Sequence, residues 1–407
     1  MVQAMITELS SKIPKNFRCL GSLLFLVAGS AVDQAQAIEI QIDYRFDTAN
    51  FFDTAEKKAA MESVAKFWGS MLQDHLLQID ASEFSQSSWA AVPLDPESGE
   101  STSISNLVVP EDTIIVFVGS RSLAGSTLGI GGPGGFSASG TSMWISRLRS
   151  RGNPGADYPA SANDQKTDFA PWGGTIAFNR DRDFNFTSTA DSSRPNFITI
   201  ALHELGHVLG IGTAASWDNL ISGTDFNGVA SARSCGVTPS VTDNGGHFGE
   251  TLLTSPFFGS FQTEHGVVGP ILMRAATTIG YSPLCVATDL DVSALVDIGW
   301  EVAPPARFSN AITNPTSAQF SWPSSSFMSY QIEHSEDLIT FSPLSPVIAG
   351  NKQIESWTDA SPNDEKAFYR LVATALDVQT TTSTSNRQSQ VKDSLQTASE
   401  SPRTVTN

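Results

Sequence analysis

Two histidines four residues apart, His203 and His207, stand in the run His203-Glu204-Leu205-Gly206-His207-Val208-Leu209-Gly210. Positions i and i+4 of a helix share a face, so both imidazoles can reach a single point with Glu204 beside them. The pattern suits one zinc ion held by two ring nitrogens next to a carboxylate able to take a proton. No other stretch constrains the fold as much, because this one demands a helix whose polar face turns inward. The competing reading is a surface helix with two partly exposed histidines, and the flanking residues argue against it. Ser193 is the expected cap, Pro195 sits in the first turn where a missing N–H costs nothing, and Phe197, Ile198, Ala201, Leu202, Leu205 and Leu209 supply packing positions. Gly210 and Gly212 end the helix cheaply in left-handed conformations. Histidines in the last turns of such a helix are buried with it.

With 407 residues, the chain exceeds one compact domain, and its segments read as four. Residues 1–37 have the form of a secretory signal: Lys12, Lys15 and Arg18, then an apolar run from Leu20 to Val32, then Ala35-Gln36-Ala37 as an A-x-A cleavage site. That run is too short to span a bilayer, and no other span is expected, so export as a soluble protein, secreted, periplasmic or at the cell surface, is the predicted localisation. Cys19 leaves with the signal, and an even pair, Cys235 and Cys285, remains. In an oxidising compartment this pair predicts one disulfide, whose loop closure stabilises the fold by about 4 kcal/mol. The formal charge is -18, and losing a signal of net charge +1 leaves about -19. A surface this acidic repels polyanions, which argues against nucleic acid as a partner.

Ile38 to Phe46 alternates apolar and polar residues, as a half-buried strand does. Asp53 with Glu56 predicts a capping box for a helix packing through Met61, Val64, Ala65, Trp68 and Leu72, with His75 placed in the same helix. Residues 81–106 read as loop. Thr113 to Val118, continuously β-branched or aromatic, predicts an interior strand covered on both faces. Gly129 to Gly135 lacks the ending of a phosphate loop and reads as a flexible turn. Met143 to Leu148 fits strand or helix equally. Gly173 to Asn179 predicts a short strand, either interior or a free edge able to add an extended peptide. Asp181, Asp183 and Asn185 alternate as oxygen donors for Ca²⁺ might, although a solvated turn is the simpler reading.

A catalytic zinc takes three protein ligands and leaves one position open. Beyond His203 and His207, the candidates are His247 and His265, with Asp218 and Glu250 as carboxylate options; His334 lies in a later module. The run from His203 to Gly210 resembles the opening of the metzincin signature, in which a third histidine follows three positions after the glycine. Thr213 stands there in this chain. In the leishmanolysin-like branch an insertion precedes that histidine, and an aromatic residue commonly follows it; His247-Phe248 resembles this. Pro270-Ile271-Leu272-Met273 resembles the methionine turn beneath the metal, and Asp289 to Trp300 the closing helix of bacterial members. The resemblance covers roughly residues 38–303. It implies an α+β fold with a twisted mixed sheet and an active-site helix, Zn²⁺ held by His203, His207 and His247 with His265 the runner-up, and Glu204 as general base in hydrolysis of a protein or peptide substrate. A non-catalytic surface-binding protein on the same scaffold is the alternative that Thr213 keeps open, while a thermolysin-like site with a glutamate ligand is disfavoured by Gly210 and Met273.

Pro304-Pro305 marks a boundary. Residues 304–375 carry short apolar alternations and predict a small β-sandwich, with Trp322, Tyr330 and Phe368 to Leu371 resembling a C-terminal module of secreted bacterial enzymes. Residues 376–407 are Ser-, Thr- and Gln-rich and predict a disordered tail.

Overall fold

The computed structural model describes residues 37–376, apart from 157–165, 188–190, 192, 250–251, 255–268, 276–286, 304–305, 307, 315–316, 337–339, 352 and 361–367, and also describes the backbone of 403–406. Residues 1–36 of the expected signal segment, Glu250, His265 and Cys285 lie outside the described residues, and with Cys285 the expected disulfide does too. The fold is mixed α+β, and among the described residues no helix is long and apolar enough to cross a membrane.

The central sheet is built on β4 (Thr113–Arg121), with β1 (Glu39–Asp43) parallel on one side and β7 (Gly173–Asn179) parallel on the other; β5 (Gly129–Pro133) runs antiparallel beyond β7. The unbroken apolar run of β4 has a direct reason in the layers around it. Ile114, Val116 and Val118 face a core shared with the helices, while Ile115 and Phe117 face a second core containing Trp89, Phe136, Trp144 and Trp172. That second layer is made by β2 (Ser88–Val92), β3 (Ile104–Ser105) and β6 (Gly135–Gly140), paired antiparallel, and by α2 (Ser142–Ser150). Residues 81–106 are therefore not all loop. Their Ser- and Pro-rich composition hides one buried alternation, Trp89 and Ala91, which faces the tryptophan core. Met143 to Leu148 is helical, capped by the Thr141 hydroxyl on Trp144 N–H.

On the other face lie α1 (Ala55–Gly69) and α3 (Phe197–Val208). The cap of α1 is Thr54 rather than Asp53, its hydroxyl accepting from Lys57 N–H; Asp53 instead forms an i,i+4 ion pair with the Lys57 ammonium at 2.9 Å. The helix ends at Gly69, so His75 lies beyond it and meets Asp112 at 3.2 Å. Buried Trp68 reaches across to α3 and donates its indole N–H to Leu202 C=O at 3.1 Å. The cap of α3 is likewise shifted: Asn196, not Ser193, accepts from Thr199 N–H at 3.0 Å. Ser193 turns back onto Asp191. An asparagine next to the first helical residue has the shorter reach to the open N–H groups.

Three short helices complete this part: α4 (Ala215–Asp218), α5 (Val229–Cys235) and α6 (Asp289–Asp297). The last carries a reciprocal capping box between Thr288 and Asp291. Beyond it, two antiparallel sheets face each other. One contains Asn310–Asn314, Ser317–Pro323 and Ile354–Asp359; the other contains Met328–Ser335, Ser342–Pro343, Ile348–Ala349 and Phe368–Ala375. Their inner faces meet through Phe320 and Tyr369, ring centroids 4.6 Å apart, and through Trp322 and Tyr330. Ser325 Oγ donates to Asp289 Oδ1 at 2.7 Å and Ser326 Oγ to Arg233 C=O, which ties this module to α6 and α5. Of the expected tail, the backbone of Arg403–Thr406 pairs antiparallel with β6, and residues 377–402 and 407 lie outside the described residues.

Candidate metal centre

All twelve residues of α3 are buried, and His203, Glu204 and His207 are only 7, 7 and 8 % exposed, which rules out a surface helix with a solvated histidine pair. His203 Nδ1 lies 2.8 Å from Leu272 C=O and His207 Nδ1 lies 2.7 Å from Ile211 C=O. A carbonyl only accepts, so in both rings Nδ1 carries the proton and Nε2 keeps its lone pair. Those two Nε2 atoms are 3.1 Å apart, and His247 Nε2 lies 3.3 Å from the first and 3.1 Å from the second. One proton on His247 can bridge to one lone pair and not to both. A cation satisfies all three, and among the described residues these histidines are the one cluster of three or more His, Cys, Asp or Glu side chains arranged to hold a metal. Three nitrogens each about 2.0–2.1 Å from a tetrahedral zinc lie about 3.3–3.4 Å from one another, close to the triangle observed. Burial depresses the basicity of all three rings: His203 falls well below the ordinary histidine range, with His207 adding to the effect, His207 falls to about 4, and His247 falls as well. At neutral pH the triangle is uncharged and ready to ligate.

His247 comes from a loop forty residues beyond His207, and the local sequence explains how it is held. Asn244 Oδ1 accepts from Gly246 N–H and from the Thr242 hydroxyl, Gly245 N–H donates to Thr242 C=O, and Trp217 donates to Gly245 C=O at 2.8 Å. The next residue, Phe248, is fully buried against Trp217 and Phe226 and donates its N–H to Met273 C=O at 2.9 Å. Glycine is required where this loop meets the helix end. Gly212 has φ +76°, and a Cβ there would strike the Gly246 carbonyl. Thr213, in the place where the resemblance expected a histidine, donates its hydroxyl to His207 C=O at 2.6 Å and so closes the helix end. Trp300 does the same for Leu209 C=O at 2.8 Å.

Beneath the histidines runs the segment ending in Met273. Its main chain is clamped by buried Asp291, which accepts from Leu272 N–H at 3.0 Å and Met273 N–H at 2.9 Å as well as from Thr288. Leu272 C=O is the same carbonyl that orients His203. Met273 packs so close to α3 that a Cβ on Gly206 would lie 2.6 Å from its sulfur. Asp218 stands in α4 outside the histidine cluster. Asp181 accepts from the Ser122 hydroxyl, and Asn185 accepts from the Thr187 N–H and hydroxyl.

Glu204 faces the opposite flank, where the Gly129 to Gly135 stretch is not a flexible turn but begins with edge strand β5. Register pairs Gly131 with Ile176 and Gly132 with Thr175, which makes β7 interior and gives the free edge to β5. The strand crosses α3 at backbone contact: a Cβ on Gly131 would strike the Glu204 carbonyl oxygen, and one on Gly129 would lie 2.7 Å from Glu204 Cγ. Burial pushes the Glu204 carboxyl up to about 8, opposed by a hydrogen bond from Gly131 N–H. β5, the two helix histidines, Glu204, the Gly246-His247 corner and Arg274 enclose a cleft of about 450 Å³. Sequence reasoning missed β5 and Arg274. The run of glycines in 129–135, whose backbone can be approached closely, is the signal that points to the first.

No protein-family model, curated protein or solved structure matches the chain.

Proposed function

We propose that the chain is a secreted zinc-dependent endopeptidase of the metzincin kind, similar to the leishmanolysin-like bacterial branch, with His203, His207 and His247 as ligands and Glu204 as general base. The observation that carries this reading is the meeting, in one cleft, of three imidazole Nε2 atoms 3.1–3.3 Å apart with a buried carboxylate held by a backbone N–H. Bound zinc supplies polarisation of the scissile carbonyl and brings the pKa of a water toward neutrality. Glu204 takes the proton from the attacking water and passes it to the departing amine. Burial raises that carboxyl to about 8, so it can both take and return a proton near pH 7. Gly131 N–H fixes the direction in which that carboxylate points. Apart from the Gly131 N–H that Glu204 takes, the free edge of β5 offers its N–H and C=O groups to an extended peptide, which would lie across the cleft as a fifth strand. Export rests on the basic, apolar and A-x-A pattern of residues 1–37.

The second reading, a non-catalytic surface-binding protein on this scaffold, draws on Thr213. It is weakened by His247 reaching the point that a histidine at 213 would have served, and by a buried Glu204 for which binding alone has no use. The experiment that separates the two is casein or gelatin cleavage by the purified protein. Cleavage lost to a chelator and restored by Zn²⁺ supports the peptidase, whereas no turnover on those proteins or a broad peptide library favours binding. Zinc content of single variants tests the ligand set: His247→Ala loses metal and activity while His265→Ala keeps both, and full zinc in the former overturns the assignment.

A further inference from the structure

We propose that Arg274 is the specificity residue of the cleft, gripping a substrate carboxylate beside the scissile bond. The inference rests on the peptidase reading and narrows its substrate class to peptides with an acidic group near the point of cleavage.

Arg274 directly follows Met273 and lines the same cleft as Glu204 and the three histidines. Its position is set by a rigid frame. The Met273 N–H is held by Asp291, the Met273 carbonyl by Phe248 N–H, and Arg274 itself forms a parallel bridge with Phe248. The side chain is half-buried, its Nε is shielded from solvent, and that atom has no hydrogen-bond acceptor. Among the described residues no carboxylate forms an ion pair with its guanidinium. Arg151, fully out of solvent, donates to the carbonyls of Leu77, Thr113, Pro171 and Pro110, whereas Arg182 Nε is shielded without an acceptor as Arg274 Nε is; of these, Arg274 is the one that lines the cleft. A shielded guanidinium N–H without an acceptor loses its hydration for nothing, unless a ligand restores the bond.

The chain's acid excess sharpens the point. With 42 Asp and Glu against 24 Lys and Arg, partners for an arginine are plentiful, yet no acidic residue occurs from 275 to 288. Two effects oppose each other for an acidic substrate. The net charge repels it from afar, but that repulsion is screened beyond a Debye length of about 8 Å at physiological salt. Inside the cleft, the planar fork of Arg274 meets a carboxylate in bidentate geometry with little competing water, and this short-range contact decides the preference. The same charge disfavours lysine or arginine in that subsite.

The test uses the zinc-loaded full chain and a set of fluorogenic peptides identical except for Asp, Asn or Lys at positions flanking the scissile bond, each with a free or an amidated C-terminus. The wild type is expected to favour Asp over Asn by about 10- to 100-fold in kcat/KM, mostly through KM, as one charge-assisted contact supplies. Arg274→Gln brings that ratio close to one, Arg274→Lys retains part of it, and Arg274→Glu turns the preference toward Lys. If the preference follows the free C-terminus instead, the group gripped is the terminal carboxylate. Equal cleavage of all peptides by the wild type overturns the proposal and leaves the peptidase reading standing. Anisotropy titrations of the same labelled peptides with Glu204→Gln provide the converse. Selective binding of the acidic peptide without any wild-type cleavage would sink the peptidase reading and keep the role of Arg274; neither binding nor cleavage overturns both.

Discussion

The two flanks of α3 are built by opposite means. On the histidine flank the helix is met by side chains and clamped loops: Met273 under Gly206, Asp291 holding the main chain of 272 and 273, Phe248 anchoring His247, and Thr213 and Trp300 closing the helix end. On the glutamate flank side chains are missing, and the backbone of β5 lies directly on Glu204. On the proposed peptidase reading, the difference follows from what each flank would deliver. Three ligands need their rings turned to one point, which takes many hydrogen bonds from different parts of the chain. A general base beside an open strand edge needs closeness instead, and only glycine lets the two backbones approach. A Cβ on Gly131 meets a fixed carbonyl, whereas one on Gly206 meets the flexible end of a methionine.

The strongest way to break this comparison is Glu204→Gln. It removes the base without touching a ligand, so proteolysis should fall about 10²- to 10⁴-fold while zinc content stays full; activity close to wild type ends the mechanism. Asp291→Asn comes next, because it turns an amide donor toward N–H groups that have no other acceptor. A loss of about 3 kcal/mol in denaturant unfolding is expected, with zinc affinity lowered about tenfold as Leu272 C=O loses its hold on His203. Unchanged zinc affinity in that variant would separate the clamp from the metal site. Gly131→Ala should cost about 1–3 kcal/mol, since neither backbone at the contact can give way, and should lower activity beyond what its stability loss explains. Gly206→Ala is the smallest. Met273 can move its sulfur, and alanine gains about 1 kcal/mol of helix propensity over glycine, so stability should stay within about 1 kcal/mol of wild type. If Gly206→Ala proves the more damaging of the two glycine variants, the contrast between the flanks is wrong.

Elements with strong local signals were legible before any tertiary contact was known. The α3 helix combines a period with a length, β4 shows a continuous apolar run, and the helix of 289–297 was expected through the resemblance. Capping residues were misplaced by one to three positions, Ser193 for Asn196 and Asp53 for Thr54, because several neighbouring side chains could cap and only the entry angle of the chain chooses. The strand in 88–92 was lost within a polar stretch because its burial depends on Trp172 and Phe117, far away in sequence. β5 was read as a turn because glycine carries no strand preference and shows no alternation to detect.

By itself the sequence determined the spacing of His203, Glu204 and His207, the helix that puts them on one side, and the acidic charge that argues against polyanions as partners. The tertiary structure alone decided that Nε2 of His247, which the resemblance had put forward, meets those of His203 and His207, that Thr213 serves as a cap, that β5 rather than β7 holds the free edge, and that Arg274 lines the cleft with an Nε that has no acceptor. The physical reason is range. Helical periodicity is a property of neighbours and is written in neighbours, while the meeting of residues forty to seventy positions apart depends on which surfaces the whole core leaves to be covered.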